Sequence, residues 1–233
     1  MKILISLRAP WLGKMDMTLR LSALEAAVHM AEKYPEARIY ALAVDEPGGE
    51  EAVRSCLAHV AERAYLARGA AVDPIDAVAA GLLMAQAVET IERREGPFDL
   101  IFCGDAEPGQ DGLAPALAGY LNRMQVTGVS EVEPEDSGFL VRRRWDEELA
   151  AIRVNGPCVL SFLQPTGPAI YPKLSRLMEA NLADVEVIET AAAPQAGQAV
   201  LFNTRPRTVR MLEATDPDTM PELADLLIGK LTT

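Results

Sequence analysis

The sequence predicts an α/β fold: a doubly wound, mostly parallel sheet carrying a β-hairpin and ending in an extended C-terminal arm. Two observations carry this expectation. Short apolar runs alternate along the first part of the chain with longer segments of helical period, the order that parallel strands joined by crossover helices require. The composition agrees, because 49% of the residues are hydrophobic but only 5% aromatic. Such a core is aliphatic and alanine-rich, as in sheets covered by helices on both faces.

The elements follow in order. Residues 3–7 are a buried first strand. Residues 18–34 place Leu21, Leu24, Val28 and Ala31 at helical spacing, with Thr18 as the N-cap. Residues 38–44 are a second buried strand, punctuated by Asp45-Glu46-Pro47-Gly48-Gly49. A short helix over 50–59 leads to a strand around 64–67. Asp73 and Pro74 then open a long helix running to about Arg94, Asp73 accepting from free N–H groups and Pro74 suiting the first turn. Residues 99–103 form another buried strand, Gly104–Gly112 a loop, and 113–121 a helix. The period then changes: 139–145 and 149–154 alternate around Asp146-Glu147-Glu148, the pattern of a hairpin. Residues 157–162 are a further buried strand. From Gln164 onward prolines and polar residues dominate until an amphipathic helix at about 220–231. The chain is thus expected to divide into an α/β domain, 1–164, and a C-terminal arm, 165–233. The arm is too long for an ordinary loop and belongs to a partner surface.

Composition excludes several functions. A net charge of −12 opposes nucleic acid and anionic membrane surfaces, both of which need concentrated Lys and Arg. No apolar run approaches the roughly 18 residues of a membrane helix, and the opening apolar stretch is too short for a signal peptide and is broken by Arg8, so a cytoplasmic protein is expected. The three cysteines, Cys56, Cys103 and Cys158, are far apart in apolar stretches and form no C-x-x-C pair, so neither a thiolate metal site nor a disulfide framework is expected. His29 and His59 are the only histidines. Two histidines within helical patterns cannot supply a Ser-His-Asp or multi-histidine metal site, and no catalytic or metal-binding residue is expected.

Parallel α/β sheets bind ligands beyond the carboxyl ends of their strands, where strand order reverses. Three loops qualify: Leu7–Gly13, Val44–Gly49 and Gly104–Gly112. In the third, Gly104, Gly109 and Gly112 would let backbone N–H groups approach a phosphate, and Asp105, Glu107 and Asp111 suit ribose hydroxyls better than a bare anion. A glycine-rich turn without ligand remains the alternative. Trp11, after Pro10, is either an exposed contact residue or packs on its own loops. Arg142-Arg143-Arg144 place at most two side chains on one strand face, and Asp146-Glu147-Glu148 read as a solvated turn.

At Val141–Ser161, Val-Arg-Arg-Arg-Trp-Asp-Glu-Glu-Leu-Ala-Ala-Ile-Arg-Val-Asn-Gly-Pro-Cys-Val-Leu-Ser, the chain resembles the signature of the electron transfer flavoprotein β subunit. Ala23–Ala27, Glu51–Arg63 and Tyr171-Pro-Lys-Leu-Ser-Arg-Leu-Met178 resemble three further family segments in order and spacing. The resemblance implies an adenine-nucleotide-hydrolase-like pseudo-Rossmann domain docked on an α subunit that holds most of the FAD and relays electrons from flavin-dependent dehydrogenases. It implies a nucleotide pocket, filled by AMP in most members or a second FAD in bifurcating ones, lined here by Ser6, Leu7, Trp11, Val44, Gly104, Asp105, Gln110, Asp111 and Gly112. It also makes Leu174 the anchor that enters a partner dehydrogenase. The chain departs from the family in lacking an Asn-Pro segment after strand one and the usual nucleotide-loop pattern after Gly104. Both departures fall on the pocket and predict weak or absent AMP binding. The acidic Glu179–Asp184 replaces the usual lysine run. The alternative is a stand-alone adenine-nucleotide-binding regulator of universal-stress type, which would not need the tail beyond Gln164. A hydrolase or transferase lacks a nucleophile and base within one loop set.

Overall fold

A computed structural model describes residues 1–8, 22–69, 77–104, 112–145, 148–162 and 170–191. Expectations at Thr18, Leu21, Asp73 and Pro74, and for a helix over 220–231, lie outside them. The described residues all fall within one compact unit, Met1–Ala196.

Its centre is β1, Lys2–Leu7. Ile3, Leu4 and Ile5 are fully buried, because each successive side chain points to the opposite face of a sheet covered on both sides. Helix α1 (Ser22–Lys33) leads to β2 (Arg38–Val44), and α2 (Gly49–His59) to β3 (Arg63–Arg68). The chain then returns through α3 (Ala77–Glu95) to β4 (Leu100–Gly104) on the other side of β1. Ser6 therefore stands in register with Leu42 on one side and Cys103 on the other. The reversal of strand order between β1 and β4 opens the crevice that ligands of such sheets occupy. Helix α4 (Leu113–Tyr120), β5 (Met124–Glu135), β6 (Gly138–Trp145), β7 (Glu148–Val154) and β8 (Cys158–Phe162) follow. A last helix and strand, α5 (Leu174–Leu182) and β9 (Val185–Glu189), complete a nine-stranded sheet of order β7-β6-β5-β8-β4-β1-β2-β3-β9. Among the described residues, only the β5–β6 and β6–β7 pairings are antiparallel.

Two apolar layers result. One face packs Ile3, Ile5, Ala41, Leu66, Phe102 and Leu160 against α1, α2 and Ala180 of α5. The other packs Leu4, Leu42, Ile101, Cys103 and Val159 against α3 and α4. The doubly wound layer expected from the alternating pattern is thereby present, hairpin included.

Three elements were not legible in the sequence. β5 carries no clear strand signal, because it is mostly exposed or half-buried and interrupted at Gly128. It pairs in parallel with β8 at Met124–Val126, shifts register, and then pairs antiparallel with β6. Gly128 has φ +70° and leaves no room for a side chain beside the Arg144 carbonyl, so glycine makes the bend. Helix α5 and β9 fall within residues 165–218, where the sequence predicts no regular element. β9 buries only Ile188, yet pairs in parallel with β3 from Ala64–Val185 to Arg68–Glu189.

Helices α3 and α4 meet at glycine. A methyl group at Gly81 would lie 2.6 Å from the Ala116 Cβ, whereas one at Gly119 in α4 would meet nothing within 4 Å. Gly81→Ala is expected to destabilise the chain by about 1–3 kcal/mol through overpacking. Gly119→Ala is expected to stabilise it by about 0.5–1 kcal/mol, because alanine is the better helix former and has the less flexible unfolded state. Urea unfolding of the two variants side by side checks both signs.

Candidate nucleotide edge and docking helix

The carboxyl ends of β1, β2 and β4 converge on one edge, and the five described site candidates sit there in different ways. Ser6 faces the α3 layer, buried, and its hydroxyl donates to Met84 Sδ at 3.6 Å. The side chains of Leu7 and Val44 are buried in opposite apolar layers. Gly104 is exposed at the end of β4, and a side chain there would approach Ser22 Oγ at 3.1 Å. Ser22 is itself buried as the first residue of α1. Gly112 precedes α4, where a methyl group would lie 2.9 Å from the Ala77 Cβ. The absence of a side chain at Gly112 is thus already required by helix packing. Trp11, Asp105, Gln110 and Asp111 lie outside the described residues.

The edge also contains a pair that sequence reasoning did not single out. Arg8, directly after β1, lies 3.6 Å from Glu46 in the turn after β2, with side chains only 9% and 12% exposed. An arginine following a doubly buried strand, opposite a carboxylate following its neighbour, was the available signal. The positive charge of Arg8 is therefore balanced by the protein. The turn holding Glu46 is closed by the Gly49 N–H donating to the Glu46 carbonyl at 2.8 Å. Gly48 takes φ +89°, and Gly49 leaves no room for a side chain against the Val44 carbonyl. Both glycines are required: one for the left-handed backbone, the other for close approach.

On the opposite rim of the α2 layer, the predicted anchor Leu174 opens α5 and is 72% exposed. Met178 (61%) and Leu182 (86%) follow at helical spacing, on the same side of the helix. Ala180 is buried and Leu177 partly buried against the main core. The apolar residues of α5 thus divide between core and solvent. In the arginine row of β6, Arg142 pairs with Glu131 at 3.1 Å and Glu133 at 3.4 Å across the strand, so its charge is balanced.

With this geometry, the comparisons give a family. The electron transfer flavoprotein domain matches residues 16–193. Among curated proteins, the caffeyl-CoA reductase-Etf complex subunit CarD of Acetobacterium woodii is 25% identical over 223 residues, covering 90% of this chain and 83% of that protein. The electron transfer flavoprotein subunit beta of Thermoanaerobacterium thermosaccharolyticum is 28% identical over 172 residues, covering 72% and 63%. Protein FixA of Azotobacter vinelandii is 26% identical over 235 residues, covering 91% and 82%. The chain belongs to the electron transfer flavoprotein family, on the side of its β subunits. The universal-stress reading is not favoured.

No helix among the described residues is long and apolar enough to cross a membrane. The three cysteines are free and buried. Burial pushes the Cys158 thiol up to about 12, with the nearby Arg123 charge opposing the shift, and burial pushes the Cys56 thiol up as well. Only a thiolate is nucleophilic, so these two sulfurs are held protonated at neutral pH and shielded besides. The native protein is expected to leave all three thiols unreacted with a disulfide reagent at pH 8, and to titrate all three once unfolded in guanidinium. Rapid reaction of any thiol in the folded protein contradicts this.

Proposed function

We propose that this chain is the supporting half of a heterodimer whose α subunit holds the FAD, and that α5 is where a flavin-dependent dehydrogenase docks. The flavin supplies the electron chemistry; this chain supplies the scaffold and the contact. The observation that carries the docking role is the exposed apolar row Leu174, Met178 and Leu182 on a helix otherwise tied to the core. Isolated exposed apolar residues are ordinary, but a contiguous row marks a binding surface. Its first residue matches the anchor that the family resemblance assigns. The protein's place is cytoplasmic in this reading.

The described residues of the nucleotide edge offer an adenylate few free groups. A buried phosphate needs uncommitted donors and cations, and each polar group left unpaired costs roughly 1–3 kcal/mol. Here the Ser6 hydroxyl is engaged by Met84, Arg8 is balanced by Glu46, and Gly112 is packed on Ala77. These features support a degenerate AMP pocket.

Two measurements test the proposal. Co-expressed with an α subunit, the chain is expected to elute as a 1:1 complex that releases one FAD and less than one AMP on denaturation, while the chain alone stays colourless. A yellow, flavin-saturated monomer sinks the heterodimer, and a full equivalent of AMP sinks the degenerate pocket. Leu174→Ala is expected to weaken dehydrogenase coupling by about 2 kcal/mol, roughly 30-fold in apparent affinity. The melting temperature should hardly move, because the side chain is already in solvent; a large fall would make Leu174 a core residue.

A further inference from the structure

Helix α5 is poorly equipped to hold itself in place. It has nine residues, short enough to be marginal on its own. The backbone at Lys173 and Ala183 is extended, with no side-chain cap at its start and no basic residue in its last turn. Only Ala180 is fully buried, so hydrophobic burial alone fixes its rotation weakly. The free carbonyls of its last turn nevertheless have a partner, and it comes from another element.

That partner is Arg54 of α2. One guanidinium nitrogen donates to the carbonyls of Ala180 at 2.7 Å, Asn181 at 3.3 Å and Ala183 at 3.0 Å. The rest of the fork is held by Glu50 one turn earlier in α2, through Nε at 2.9 Å and Nη2 at 2.8 Å. With Glu50 fixing the plane, the guanidinium is aimed at the carboxyl end of α5, where a cation also opposes the helix dipole. The amino end of the segment is tied to the same helix. Arg176 donates to the Leu57 carbonyl at 3.4 Å. Two turns of α2 thus hold α5 from Arg176 to Ala183.

We propose that Arg54 is a positioning residue for partner docking: by clamping the last turn of α5 onto α2, it sets the rotation at which Leu174, Met178 and Leu182 face a dehydrogenase. This rests on the docking reading of α5. A lysine at 54 keeps the cation but not the planar fork that Glu50 and the carbonyls share.

The test uses the assembled heterodimer with a purified acyl-CoA dehydrogenase and its acyl-CoA substrate as the probe. Arg54→Met keeps the packing of the stem and removes the donors. It is expected to raise the KM for the flavoprotein by roughly tenfold, the size of one lost charge-assisted hydrogen bond, with kcat unchanged. Amide exchange should quicken over residues 174–183 and stay unchanged over 49–59. Arg54→Lys is expected to fall between Met and the native residue in both readouts, and carries the comparison alone if Arg54→Met does not assemble. Leu174→Ala should raise KM without altering exchange. Unchanged exchange over 174–183 in Arg54→Met overturns the clamp. Quickened exchange with unchanged KM, where Leu174→Ala does raise it, overturns the positioning role. An unchanged KM in Leu174→Ala removes the docking reading and the proposal with it, whatever exchange shows.

Discussion

The described structure depends on the burial of β1 on both faces. A strand with no exposed face must satisfy every backbone N–H and C=O within the sheet, because no water reaches them. β1 does so by pairing along its length with β2 on one side and β4 on the other. Those pairings oblige the chain to wind outward through β3 and then return across the sheet. The return reverses strand order and creates the crevice at the carboxyl ends. The two apolar layers follow, since each successive β1 side chain must find a helix on alternate faces. The nucleotide edge is thus a consequence of the same constraint that builds the core.

Helix α2 shares this role at the periphery. Its first turn is pressed against the end of β2 at Gly49, its body packs under the sheet through Ala52, Val53 and Cys56, and its outer side holds α5. A helix buried on one side and donating on the other can carry a short segment that has little hydrophobic anchorage of its own. This explains how an element exposing three large apolar residues stays ordered without burying them. Surface ion pairs such as Arg38–Glu62 or Lys33–Glu133 contribute little by comparison, because solvent screens them.

The functional character of the chain agrees with a supporting subunit. Several of its described polar groups are engaged within the fold: Ser6 with Met84, Arg8 with Glu46, Arg123 with Glu92 at 2.6 Å. Its cysteines are sealed in apolar layers. What its described residues present outward includes a strand edge at the carboxyl ends of β1, β2 and β4 and an exposed apolar row on α5.

The sequence by itself determined the doubly wound layer, since β1, β2, β4 and β8 are buried on both faces and read as unbroken apolar runs. It determined the hairpin of β6 and β7 through alternation, and Leu174 as a residue to watch through its motif. Only tertiary structure decided β5, α5 and β9. Their apolar residues are few or face solvent, so their periodicity does not report the core; partners distant in the chain define them instead, β8 and β6 for β5, β3 for β9, and Arg54 for α5. The same reason hid the Arg8–Glu46 pair and the packing of Gly112 on Ala77. Each depends on which strand ends and helix starts come together, and local sequence carries no record of a neighbour that only the winding of the sheet supplies.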